Sequence, residues 1–294
     1  MLKTFFNNLR YFCRYNIKEI YSNAQEINNI HYCLDSIKYE LCEDLNNIKK
    51  IKILNDFQTL EKLISSESSF ARFGDGEINL IFGNGIPCQK YDDELSEKLR
   101  NTLISTDKKL MIGLPNLFAS YEKSQLYVKN FSRKFYGKYT PLLLELLSEK
   151  EEYYSANSTY PYINSGKNVI DFEQYYNKFK SIWQDKNIAI LCGDRVFKNI
   201  EYNIYDNAAS IKYIYAPTNN AFESYEKILG QIKGIPINTI IILVLGPTAT
   251  VLVYDLTKMG YRVLDLGHLG KDYDAYKKNI VSNKENAIKF FSPE

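Results

Sequence analysis

Beyond residue 50 the chain alternates between two kinds of apolar pattern. Short, mostly apolar runs stand at 69–73, 110–113, 188–191, 211–215, 239–245 and 261–264, and runs of that length predict buried strands. Between them, apolar residues recur every three or four positions over 57–64, 92–103, 172–183, 221–232 and 249–259, which predicts amphipathic helices. Leu95, Leu99 and Leu103 make the clearest stripe, with Asp92 and Asp93 placed to start their helix. Ile78 to Phe82 reads as a helix closed by Gly83-Asn84-Gly85, and helical stretches run on through Leu147. Tyr153 to Asn168 is polar, aromatic and punctuated by proline and glycine, which predicts a loop able to cover a ligand or simply a solvated one.

Strands alternating with helices predict a parallel sheet with right-handed crossovers and helices on both faces, an α/β, Rossmann-like domain over residues 51–294. Residues 1–50 read as an N-terminal helical extension. In it Phe5, Phe6, Leu9, Phe12 and Ile17 interleave with Lys3, Arg10, Arg14 and Lys18. A basic amphipathic helix of this kind either lies on an anionic membrane surface or a partner, or packs on the main domain or a second subunit of a homo-oligomer.

In an open parallel sheet, ligands bind beyond the carboxyl ends of the strands. Five of the six predicted strands end in a polar cluster: Arg72-Phe73-Gly74-Asp75-Gly76-Glu77, Gly193-Asp194-Arg195, Pro217-Thr218-Asn219-Asn220, Gly246-Pro247-Thr248 and Asp265-Leu266-Gly267-His268. Asp75 and Glu77, two apart on an extended or turning backbone, are expected to point to one side and cradle a hard divalent cation, Mn2+ or Mg2+. An ordinary solvated Asp-Gly-Glu turn is the plain alternative. Thr248 and the amides after Gly246 head a helix and suit an anion such as a diphosphate, or Thr248 is a simple cap. Asn219 and Asn220 occupy the same kind of position, and Arg195 offers a fixed cation. His268 is suited either to general-base work or to a structural hydrogen bond, and Asp255 and Asp265 are the nearby acids considered for the same proton. No GxGxxG follows an early strand and no Walker lysine motif is present.

Composition narrows the class. A formal net charge of +2 argues against a protein that coats nucleic acid. Five cysteines, at 13, 33, 42, 88 and 192, form no CxxC pair, so neither a disulfide framework nor a zinc knuckle is indicated, and His31 near Cys33 lacks a second ligand pair. No run is apolar enough to span a bilayer, and no signal-peptide pattern opens the chain. The expectation is a cytoplasmic protein, with a peripheral contact at the inner membrane face as an option for the basic arm.

Taken together, RFGDGE at 72–77, PTNNAF at 217–222, LGPTATVLVYDL at 245–256 and GYRVLDLGH at 260–268, followed by Tyr273, resemble the GT-D family of bacterial glycosyltransferases. The resemblance covers roughly Ser66 to Tyr276. It implies a Rossmann-like fold, a UDP-hexose donor such as UDP-glucose, and a divalent metal at Asp75 and Glu77 with Arg72 as a neighbouring organiser. It also implies a donor pocket lined by Asn220, Thr248 and His268, and a glycan acceptor in surface polysaccharide or glycoprotein assembly. Two departures stand out. Related sequences carry a glycine-rich Gly-Asn-Asp element where this chain has Phe197 to Asn203, and many have an arginine where the stretch Thr159-Tyr160-Pro161-Tyr162 has tyrosine. The competing readings are a metal-dependent nucleotide-sugar phosphohydrolase and a non-catalytic partner-binding subunit.

Overall fold

The computed structural model describes residues 2–41, 50–115, 126–165 and 170–291. The expected helical stretches at 42–49 and 116–125, the end of the expected loop at 166–168, and the side chains of Lys3, Phe5, Leu9, Phe12 and Arg14 lie outside what is described. The chain divides into two compact units, one of Met1–Ile48 with Ser120–Leu143, the other of Lys49–Ala119 with Leu144–Glu294.

Among its described residues the first unit holds two helices, α1 (Leu2–Leu41), a single 40-residue element, and nearly all of α5 (Leu126–Leu144). Phe6 and Ile17 of the amphipathic pattern are both solvent-exposed. No helix among the described residues is long and apolar enough to cross a membrane.

The second unit is a single eight-stranded sheet, parallel throughout, in the order β1-β4-β3-β2-β8-β7-β5-β6. Its strands are β1 (Lys52–Ile53), β2 (Ser69–Arg72), β3 (Leu110–Leu114), β4 (Glu152–Ser155), β5 (Asn187–Gly193), β6 (Ser210–Ala216), β7 (Ile240–Val244) and β8 (Val263–Asp265). Between the strands run α2 (Asp56–Ser66), α3 (Asp75–Ile81), α4 (Asp93–Leu103), α6 (Pro161–Ser165), α7 (Phe172–Trp183), α8 (Tyr225–Ile232) and α9 (Pro247–Lys258), and α10 (Leu269–Lys277) and α11 (Lys284–Phe291) follow the last strand.

The interior strands obey the apolar-run rule because helices cover both their faces: Ile240, Ile241, Ile242 and Leu243 of β7 are all buried. Full burial of each such side chain stabilises the fold by roughly 1.5–3 kcal/mol. Caps fall where the residue types call for them. Asn55 and Gln58 close a reciprocal capping box on α2, and Asp92 accepts from the Leu95 N–H at 2.9 Å.

The expected loop over 153–168 is instead built. Its start belongs to β4, which joins the sheet beside β3; a 3-10 turn (Ala156–Thr159) and α6 follow. Glu-Tyr-Tyr-Ser has no strand periodicity; tertiary pairing makes it a strand, with Tyr153 and Tyr154 buried as half-polar aromatics. The two-residue β1 is equally invisible in the pattern.

Candidate active site

Strand β2 carries the chain to the sheet's ligand edge, and Gly74, in extended conformation, caps the next helix. That helix, α3, begins at Asp75, three residues earlier than the apolar pattern predicts. Asp75 and Glu77 are therefore the first and third residues of a helix, where positions two apart do not face each other. The expectation that an extended backbone sends both to one side is corrected accordingly. Glu77 folds back and accepts from the Gly74 N–H at 2.7 Å, taking one of the helix's orphan donors. Burial pushes its carboxyl up to about 7, against the pull of that bond. Asp75 stands exposed at the rim with its carboxyl also pushed up by desolvation, opposed only by N–H groups of its own turn. The Asp75 charge still reaches Glu77, so the two share one local field.

Arg72 sits behind them with every direction of its guanidinium used. Its Nε donates to the Asp265 carbonyl at 2.8 Å, Nη2 to Asp265 Oδ1 at 2.9 Å, and Nη1 to Thr159 Oγ1 at 2.9 Å and the Ala156 carbonyl at 3.4 Å. Burial pushes the Asp265 carboxyl up, and Arg72 holds it back. A β-carbon on Gly267, whose φ is +42°, would stand 1.9 Å from Arg72 Nη2, so only glycine lets the chain pass this close. Asp265 is thus committed to an ion pair rather than poised to take a proton.

The neighbouring strand end differs. Gly246, with φ +52°, turns β7 into α9 without any side-chain cap, and Pro247 takes the first helical position. Thr248 follows, wholly buried, and its Oγ1 has no hydrogen-bond partner among the described residues. A buried orphan hydroxyl beside uncapped helix amides suits an anion. Thr250, one half-turn on, donates to the Arg72 carbonyl at 2.9 Å and ties this helix to the acidic corner.

Asn220 has a different task from the one its position suggested. In left-handed conformation at φ +51°, it heads only a short 3-10 turn (Ala221–Ser224), and α8 starts later, at Tyr225. Its N–H donates to the Cys88 carbonyl at 2.8 Å and its Oδ1 accepts from the Lys90 N–H at 2.9 Å, clamping the loop after α3 to the far half of the sheet. That clamp brings the half-buried Cys88 thiol beside Gly246, where the Glu77 and Asp75 charges reach it. Nothing in the sequence singled Cys88 out. Asn219 and Arg195 are exposed, and Arg195 makes no ion pair among the described residues.

His268 is half-buried at the head of α10, its ring against Phe290 at 5.2 Å and Phe291 at 5.6 Å. Burial, with Lys271 and Arg72 adding to it, pushes the imidazole down to about 3. A base that weak has little driving force for taking a hydroxyl proton at neutral pH. Asp255 is placed elsewhere: it lies two turns down α9, paired with Lys98 at 3.3 Å and bonded by the Tyr225 hydroxyl, in a cleft of about 610 Å3 between α4 and α9.

The segment 156–163, expected as a cover, is pinned at both ends. Arg72 holds Ala156 and Thr159, while the buried Asp272 accepts from the Tyr162 N–H at 2.9 Å, the Ile163 N–H at 3.0 Å and the Tyr176 hydroxyl at 2.7 Å. Tyr160 lies between these anchors, within the fields of Arg72, Asp75 and Glu77. The stretch Thr159-Tyr160-Pro161-Tyr162 therefore touches the site.

A family profile described as "Glycosyltransferase GT-D fold" matches residues 70–292. The chain is 36% identical over 230 residues to a probable glycosyl transferase Gly of Streptococcus gordonii, covering 78% of this chain and 33% of that protein. It is 33% identical over 221 residues to glycosyltransferase GlyD of Streptococcus pneumoniae, covering 75% of this chain and 27% of the relative. The chain thus spans about a third of the length of these curated relatives. Among solved structures, a new glycosyltransferase from Streptococcus sanguinis containing domain of unknown function 1792 superposes with a TM-score of 0.74 at 33% identity, over 80% of this chain and 87% of that one. A structure of the same domain, described as having a distinct glycosyltransferase fold, gives a TM-score of 0.75 at 31% identity over 82% and 86% of the two chains.

Proposed function

Since the chain belongs to the GT-D family of glycosyltransferases, we propose that it moves a hexose from a UDP-sugar to a glycan acceptor with the help of a divalent cation at Asp75 and Glu77. The observation that carries this reading is the meeting, at one sheet edge, of an acidic pair with the buried, unpartnered Thr248 hydroxyl at the uncapped start of α9. A diphosphate needs a cation on one side and donors on the other, and these two groups supply them.

The donor set fits such a cation. Asp75 is bound only by its own turn, and magnesium or manganese takes one or two protein carboxylates while leaving room for substrate phosphates. When bound, the cation supplies stabilisation of the negative charge that develops on the departing nucleoside diphosphate. Thr248, through its Oγ1 and its own N–H, holds that diphosphate, and Arg195, exposed beyond β5, adds a cation. Arg72 acts as a positioning residue: its donors are spent on Asp265, Thr159 and Ala156, so it fixes the turn from which Asp75 projects. A glucose-type hexose is the donor sugar this reading takes, and assembly of surface polysaccharide or glycoprotein glycans its setting.

The test is nucleotide release from UDP-glucose, UDP-galactose, UDP-N-acetylglucosamine and a non-UDP control, with and without manganese, for the whole chain and for Asp75→Ala and Glu77→Ala. Manganese-dependent release from one UDP-sugar, lost in Asp75→Ala, is expected. Failure of every UDP-sugar to bind or react with metal present overturns the reading.

A further inference from the structure

Phe291 is an exposed aromatic held among other rings. Three rings fix it at nearly right angles: Tyr160 at 5.6 Å and 85°, His268 at 5.6 Å and 83°, and Phe290 at 4.9 Å and 85°. Such contacts hold a ring in one orientation. Yet Phe291 keeps 46% of its surface in water, whereas its neighbour Phe290 is buried. A ring that is immobilised but not buried contributes less to the core than its size allows, and it presents a rigid apolar surface to solvent.

Its neighbours belong to the site. His268 follows β8, whose Asp265 holds Arg72. Tyr160 lies within the fields of Arg72, Asp75 and Glu77, its hydroxyl donating to Asn157 Oδ1 at 2.8 Å. The backbone on either side of Tyr160 is tied down, by Arg72 at Thr159 and by Asp272 at Tyr162 and Ile163. Asp272 and His268 sit in the same first turn of α10. The rings are therefore ordered before any ligand arrives, which spares a ligand the entropy of arranging them.

Resting on the transferase reading above, we infer that Tyr160, His268 and Phe291 form the platform that receives the acceptor's pyranose ring. A pyranose has one face of C–H groups, apolar and slightly electropositive, and an equator of hydroxyls. The C–H face matches the negative face of an aromatic ring, and the hydroxyls match polar tips set around it. Here those tips are the Tyr160 hydroxyl and a neutral His268 imidazole, which can both donate and accept.

The experiment titrates the full-length protein with methyl β-D-glucopyranoside and methyl β-D-galactopyranoside while following the His268 ring signals by NMR, with His31→Gln identifying the other histidine. A saturable shift at millimolar concentration is expected. It should weaken about tenfold in Phe291→Ala and persist in Phe291→Tyr, which keeps the ring. Absence of any saturable shift in the unaltered protein, or equal affinity in Phe291→Ala, overturns the inference. So does a change of oligomeric state in Phe291→Ala on sedimentation, which makes Phe291 an interface residue. UDP titrated with manganese in the unaltered protein tests the donor reading separately, because a protein that binds the pyranosides but not UDP refutes that reading and leaves the platform standing.

Discussion

Two corners of the same strand edge, built from residues of similar chemistry, end in opposite states. At the end of β2, Arg72 has its donors matched to Asp265, Thr159 and Ala156, and Gly267 is pressed against it. At the end of β7, Thr248 is equally buried and its hydroxyl has no hydrogen-bond partner among the described residues, and its helix has no side-chain cap. Burial is common to both; satisfaction is not. A buried group with all bonds made stabilises the scaffold, whereas a buried group left unsatisfied is held in place by that scaffold for something that comes later. The conspicuous charged residue, Arg72, thus supports the site, and the inconspicuous hydroxyl serves it.

The comparison can be broken most forcefully at its closed corner. Asp265→Ala leaves the Arg72 guanidinium buried without its anion and should lower unfolding free energy by about 3–5 kcal/mol in urea titration. A loss below about 1 kcal/mol would mean that the pair is not structural. Gly267→Ala tests the same corner through space: a β-carbon 1.9 Å from Arg72 Nη2, at a φ that disfavours side chains, should lower stability by about 2–3 kcal/mol, again read in urea. An unchanged midpoint would show that Arg72 moves freely.

The next effect is electrostatic. His268 titrates near 6.5 when unfolded and is pushed down to about 3 in the fold. Between those values the unfolded chain holds a proton that the folded one does not, so stability falls as pH drops through that window and levels off below it. Discounted by half for partial exposure, the swing is about 2 kcal/mol. His268→Gln should flatten that part of the melting-temperature profile, and an unchanged profile would place the imidazole in water. The open corner should respond in the reverse sense. Thr248→Val removes a hydroxyl with no hydrogen-bond partner among the described residues, so stability should stay within about 0.5 kcal/mol, while UDP-sugar affinity by calorimetry drops about tenfold, or about 1.4 kcal/mol. Equal affinity in the variant would close that corner to ligand.

How much of this the sequence disclosed depended on whether local chemistry or distant pairing set the outcome. The central strands were legible because helices cover both faces and make them continuously apolar, as with Ile240 to Leu243. The helix after Asp92 was legible because that residue acts on an amide three residues away, whereas the Asn55 cap of α2 was not read. Edge strand β1 and its neighbour β4 were not, since strands far along the chain recruit them. The site divided in the same way. Strand-end clusters located Asp75, Thr248 and His268 at one edge, but the idea that Asp75 and Glu77 share a direction failed because Gly74 starts a helix there. Cys88 and Tyr160 reach the site only through the Asn220 clamp and the Arg72 and Asp272 anchors, contacts that no periodicity encodes.

The two halves of the sheet meet where β2 pairs with β8, Phe70 opposite Leu264, and Arg72 reaches across 193 residues to the Asp265 carbonyl. During synthesis at about 5–20 residues per second, the ribosome needs roughly ten to forty seconds to supply the second partner after the first. For that interval Arg72 has only Thr159 and Ala156 to bond, and lacks the Asp265 carboxylate that balances its charge. A nascent chain ending before β8 therefore lacks both Asp265 and His268, and its strands β2 and β7 have no strand to join them.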